Sequence, residues 1–277
     1  MDPMGIGTVI GQRWRVTGVA RQGGASARLD AVALVEGRCV SILQAPVGRD
    51  ALSNVQALAE IWKRVTVDGL APLVDLFADG DNVYVVRESA SGRTLEERVE
   101  EGGPLSEAAL LDVARAICDV LERLHGAGVV SGAIAPDTVV VSDSATLLEL
   151  DPLRALRALS RGRPVDPRVD VHGLGRVLRY AATGVAPPDL REGPGETVLL
   201  APMHASNESI SPATERAVTE MLRTEPSRRP SDVAAVRALL FPPPSAAVEA
   251  AVSAVAPLPP PAPVAPLPPP APVAPPP

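Results

Sequence analysis

Leu124-His-Gly-Ala-Gly-Val-Val-Ser-Gly-Ala-Ile-Ala-Pro-Asp-Thr-Val-Val-Val141 is the stretch from which the rest of the chain can be read. It begins as the last turn of a helical pattern and ends as a β-branched run. Upstream, Leu110, Val113, Ala114, Ile117, Val120, Leu121 and Leu124 recur at three- and four-residue spacing behind Ser106. That predicts an N-capped helix over about 107–125, ended by Gly126 or Gly128. Downstream, Val139–Val141 and Leu147–Leu148 flank a turn at Ser142-Asp-Ser144, a hairpin signal. Further on, 171–182 reads as a buried helix stopped at Thr183-Gly184. Ser211-Pro212 opens a helix running to Leu222, and Ser231 is expected to cap the last one, ending near Leu240. Towards the N-terminus the pattern changes to short strands at Trp14–Val16, Val40–Leu43 and Val83–Val86, with one helix over about 50–64. The fold class expected is therefore α+β. A strand-rich lobe spans 10–87, after a segment 1–9, and a helical lobe spans 88–241.

Composition narrows the function. The chain has 277 residues and a net charge of −7, so general nucleic-acid binding, which rests on excess Lys and Arg, is not expected. Two cysteines, Cys39 and Cys118, and three histidines without metal-ligand spacing give no disulfide scaffold and no metal centre. No apolar run reaches membrane-spanning length and no secretory pattern opens the sequence, so a cytoplasmic protein is expected. Gly5-Ile-Gly-Thr-Val-Ile-Gly11 imitates a dinucleotide fingerprint without its preceding strand or spacing. Gly128-Val-Val-Ser131-Gly132 is not the nucleophile elbow of a hydrolase. Arg21 and Arg28 read as solvated loop charges, and Cys118 as core.

Beyond Phe241 the composition breaks. Residues 242–277 hold 16 of the 31 prolines and one charge, Glu249, and VAPLPPPAP occurs at 255–263 and again at 264–272. Proline fixes φ and removes donors, so a disordered or polyproline II tail is expected. Pro257-x-x-Pro260 suits a proline-binding domain, but a spacer is the plainer reading.

Four motifs, in order, resemble those of Hanks-type bacterial Ser/Thr protein kinases over about 10–240. Residues 124–141 look like the family's L-H-x-x-G-x-x-H-R-D-x-K-P-x-N catalytic loop. Arg168-Val-Asp-Val-His-Gly-Leu-Gly175, with Thr183-Gly184 and Pro187, resembles its S-D-x-x-x-L-G…T-G-x-x-P helix. Glu225–Pro230 is similar to D-P-x-x-R-P, and Glu88…Gly92-Arg-Thr-Leu95 to the hinge between lobes. The resemblance implies a two-lobed kinase-like fold, with Asp170 holding the catalytic-loop backbone and Pro136, Gly173, Gly175 and Arg229 kept as structural residues.

The residues that the resemblance would make catalytic are replaced. The Gly-rich loop reads Arg21-Gln-Gly23-Gly-Ala-Ser26, and Leu43 stands at the strand lysine. Ser131, Gly132 and Ala133 stand at His-Arg-Asp, and Thr138 at the magnesium-binding Asn. Asp151 alone matches a metal ligand, as a vestigial position. The activation-segment glutamate aligns with Ala158, so Arg229 is expected to be solvated or to find another acid. Taken position by position, this predicts a pseudokinase, not an enzyme, with weak or absent ATP and Mg²⁺ binding. Its work would be binding or scaffolding beside a protein partner such as an active kinase. The alternatives are a Ser/Thr kinase with residual ATP-dependent activity and a nucleotide-sensing pseudokinase.

Overall fold

A computed structural model of the chain describes residues 5–23, 26–46, 49–90, 92–142, 145–159, 166–186 and 200–242. Most of the proline-rich segment, and with it Pro257 and Pro260, lies outside the described residues, as do Gly24, Ala25 and Pro187. The strands are β1 Val9–Ile10, β2 Trp14–Gly23, β3 Ser26–Ala33, β4 Cys39–Pro46, β5 Leu73–Asp79 and β6 Asn82–Glu88, with helix α1 Arg49–Lys63 between β4 and β5. They form one antiparallel sheet in the order β1-β2-β3-β4-β6-β5.

Strand β6 shows why the sheet is two-sided. Its side chains alternate, so Tyr84 and Val86 join Trp14, Leu29 and Ile42 on one face. Val83 and Val85 join Val55 and Ala59 of α1 on the other.

The helical lobe follows. A short strand β7 Arg93–Thr94 leads into α2 Leu95–Gly102 and α3 Glu107–Gly126. Thr94 and Glu97 close a capping box on α2, and Ser106 caps α3. A 3-10 turn Pro136–Thr138 opens the hairpin β8 Val139–Val141 and β9 Thr146–Leu148. Then come α4 Pro152–Leu159, α5 Arg168–Thr183, α6 Met203–Ser206, α7 Pro212–Met221 and α8 Val233–Leu240. The apolar stripe of α3 is buried against α5, α8 and β9 in a largely aliphatic core. Gly175 permits the α5–α7 approach, because a Cβ there would lie 2.8 Å from that of Met221. Among the described residues no helix is long and apolar enough to cross a membrane.

Two local expectations are corrected, and of the two alternatives expected for Arg229, solvation is ruled out. The cap of α8 is Asp232, whose Oδ1 accepts the Ala235 N–H at 2.8 Å, while Ser231 donates to the same carboxylate. Arg229 is buried rather than solvated, donating to the carbonyls of Arg223 at 2.7 Å and Thr224 at 3.2 Å. Asp151 is more than a remnant at a strand end. Its Oδ1 accepts the Leu153 and Arg154 N–H groups, both at 3.0 Å, and so starts α4.

Candidate functional site

Between the sheet and the helical lobe lies a cleft of about 660 Å³, within the range typical of small-molecule sites. Strands β2, β3 and β4 supply Arg21, Arg28 and Leu43 from one side. The loop 132–138 and the start of α4 supply Gly132, Thr138, Asp137, Asp151 and Arg154 from the other, and α5 adds His172, Gly173 and Arg176.

The sheet side is held to the helical side by ion pairs. Arg21 pairs with Glu96 of α2. Arg28 donates to Glu149 at 2.6 Å and to the Asp137 carbonyl at 3.0 Å, and Arg87 takes the other oxygen of Glu149. Glu149 is fully buried, two residues before Asp151. The expectation that Arg28 is a solvated loop charge is therefore corrected: a buried carboxylate needs a charged partner, and Arg28 is one of two.

The polar floor is built from the loop. Asp137 is gripped by Arg154 through two bonds of 2.7 Å, a bidentate pair. That pairing holds the Asp137 carboxyl below the usual range, although burial opposes it. Asp151 Oδ2 lies 3.9 Å from Arg154 Nε. The Thr138 hydroxyl closes on its own turn, accepting from the Ala135 N–H at 3.0 Å. Ala133 and Ser131 are buried, and among the described residues the Ser131 hydroxyl meets no partner. Asp170 accepts the Ser131 N–H at 2.9 Å, the Gly132 N–H at 2.7 Å, and faces His125 Nε2 at 2.9 Å. A positive φ of 62° at Gly132 lets these two successive amides turn to one carboxylate.

The predicted residues thus separate into three groups. Leu43, Arg21, Ser26, Gly132, Thr138, Asp151 and Gly173 converge on the cleft. Asp170 and Arg229 are buried, Pro136 starts the 3-10 turn, Gly175 faces α7, and Ala133 belongs to the core. Gly23 pairs with Ser26 at the end of β2. Leu43 also packs against the α1-side cluster. Glu149, Arg87, Asp137 and Arg154 were not singled out by sequence reasoning. An acid inside the apolar run Leu147-Leu-Glu-Leu150 was the available signal, since such a residue is rarely buried without a partner. Among the described residues no group of three or more His, Cys, Asp or Glu is placed to hold a metal ion.

No family model matches the chain. A probable serine/threonine-protein kinase of Clostridium acetobutylicum is 26% identical over 209 residues, 66% of this chain and 32% of that protein. Serine/threonine-protein kinase PknL of Mycobacterium tuberculosis is 28% identical over 157 residues, 49% of this chain and 39% of that one. The chain thus spans about a third of the length of these curated relatives. The crystal structure of Rad53 1–466 in complex with AMP-PNP matches with a TM-score of 0.62 at 16% identity, covering 83% of this chain and 65% of the other. The fold is that of a protein kinase. These likenesses overturn the expectation of a non-enzyme that takes no cofactor. The relatives are named as Ser/Thr protein kinases, and the structural neighbour was solved with AMP-PNP. The cleft carries charges of its own, on Arg28, Asp137, Glu149 and Arg154, outside the motif positions that are replaced.

Proposed function

We propose, from the premise that the chain belongs to the Hanks-type Ser/Thr protein kinase family, that its cleft binds an ATP-class nucleotide and supports residual phosphoryl transfer to a protein hydroxyl. The observation that carries this reading is the pairing of Arg154 with Asp137 and its approach to Asp151, on a cleft whose opposite wall bears Arg28. Catalysis of this kind rests on positioning and charge stabilisation, and guanidinium groups are suited to phosphate oxygens.

Magnesium is bound in such sites by one or two carboxylates together with the nucleotide's own phosphates, so three protein acids are not required. Asp151 is the carboxylate that would hold the ion here, since Arg154 takes both oxygens of Asp137. Asp151 keeps Oδ2 for that purpose, because Oδ1 is engaged by α4. A bound magnesium ion would supply neutralisation of the transferred group's charge. Ala133 offers no base to the incoming hydroxyl, and loss of general-base help lowers a rate by about 10²- to 10⁴-fold. That is the reason for proposing residual rather than rapid transfer. The acceptor is proposed to be a signalling protein, with residues beyond 242 acting as a spacer.

The test is incorporation of labelled γ-phosphate into a generic protein substrate by the purified chain. Slow incorporation that Arg154→Ala and Asp151→Ala abolish, with circular dichroism unchanged, is expected. Incorporation at the level of a no-protein control refutes the reading.

A further inference from the structure

The cleft does not run on uninterrupted beneath the sheet. A second, smaller chamber of about 190 Å³ adjoins it, walled by Ala20, Asp30 and Ser41 of the sheet, Ser89 and Ala90 of the connecting segment, and Val140. Arg28, Thr94 and Glu97 line both chambers, so they form the partition. Of the three, Arg28 has the longest side chain and is tied at its far end. Nη1 donates to the Asp137 carbonyl at 3.0 Å and Nη2 to Glu149 at 2.6 Å. Moving it takes one of two cations from a carboxylate that water does not reach.

The walls of the smaller chamber are also wrong for a flat heteroaromatic ring. Small-molecule pockets are mostly apolar, with a few placed polar groups. Here Asp30, Glu97, Ser41, Ser89 and Thr94 outnumber Ala20, Ala90 and Val140. Seating a base there would strip water from two carboxylates, which costs free energy unless both find hydrogen-bond partners. The larger chamber differs in carrying five arginines against four carboxylates, together with apolar walls at Ala27, Leu43 and Ile134.

We propose that Arg28 bars the cleft against a nucleobase, so that the site selects its ligand by the polyphosphate and is indifferent to the base. This rests on the reading of the cleft as a nucleotide site. It makes Arg28 the specificity-determining residue, acting by exclusion.

The experiment is calorimetric titration of the full chain and of Arg28→Val with ATP, GTP and inorganic tripolyphosphate, magnesium being present throughout. Valine suits a strand, and Glu149 keeps Arg87, so the variant retains its fold. The quantity read is the ratio of affinities, which is insensitive to a general loss of positive charge. The wild type is expected to bind the three probes within about threefold of one another. Arg28→Val, with the two chambers joined, is expected to favour ATP over tripolyphosphate by about tenfold or more. A wild type that already prefers ATP to that degree overturns the bar while leaving the nucleotide reading intact. So does a variant whose ratio does not change. No binding of any probe by either protein overturns both. If the variant does not fold, the wild-type ratio alone decides.

Discussion

Arg87 of β6 and Glu149, just past β9, form an ion pair across the cleft with side chains 5% and 0% exposed. Among the described residues Arg87 Nε has no acceptor, so Arg87 makes this pairing through Nη1. Removing one partner of a buried pair leaves an uncompensated charge, typically at a cost of about 3–5 kcal/mol. Glu149→Ala is therefore expected to lose that much in urea denaturation. Arg28→Val, which leaves Glu149 with Arg87, is expected to lose clearly less. Equal losses would show that the three side chains do not act as one cluster.

Two aspartates of similar burial hold different structures. Asp170→Ala strands the Ser131 and Gly132 amides, at about 1–3 kcal/mol for each donor left without a partner. Asp151→Ala removes the cap of α4, worth about 0.5–2 kcal/mol. Denaturation midpoints should rank wild type, Asp151→Ala and Asp170→Ala in falling order. The reverse order of the two variants contradicts the assignment of the 131–132 loop to Asp170.

His172 looks into the cleft from α5. Burial, with Arg229 and Arg176 adding to it, pushes its imidazole down from 6.5 to about 3. The unfolded chain therefore binds a proton below pH 6.5 that the folded chain refuses, and stability falls as pH drops from there towards 3. The slope from this residue is up to about 1.4 kcal/mol per pH unit. His172→Asn should flatten the dependence of urea stability between pH 6.5 and 4. In the wild type, the His172 ring signals should not titrate over that range by NMR.

Cys118 lies in the apolar core of α3, and burial pushes its thiol up to about 12, whereas Cys39 is exposed at the start of β4. The thiolate is the reactive form. One equivalent of a thiol reagent should react quickly with the native chain and a second only in denaturant. Rapid reaction of two equivalents under native conditions would place Cys118 outside the core.

These residues also show what the sequence made legible. Helix α3 announced itself because its apolar stripe is long and its cap, Ser106, stands directly before it. Helix α2 was missed because LEERVEEG carries only Leu95 and Val99 on its buried face. Its Thr94-x-x-Glu97 capping box was the readable signal. Strand β3 was missed because Arg28 and Asp30 interrupt its apolar character, and both have their place at the chambers. Motif positions in the cleft were legible because loop residues adjacent in sequence stay adjacent in space. The Arg28–Glu149–Arg87 cluster was not. Its members lie 62 and 121 residues apart, and charge pairing at such distances leaves no local pattern.

Among the described residues, the ion pairs that bridge the cleft share a polarity, with arginine on the sheet and carboxylate on the helical side. They differ in wetness. Arg21 and Glu96 are 48% and 22% exposed, while Glu149 is dry. Dissolved salt screens wet pairs and hardly reaches dry ones. Ionic strength should thus slacken the mouth of the cleft while its rear fastening stays shut, as a purse opens on its clasp and not its seam. Amide exchange near Arg21 should quicken with sodium chloride while exchange beside Glu149 does not. A ligand then enters against a resistance set by the medium as much as by the protein.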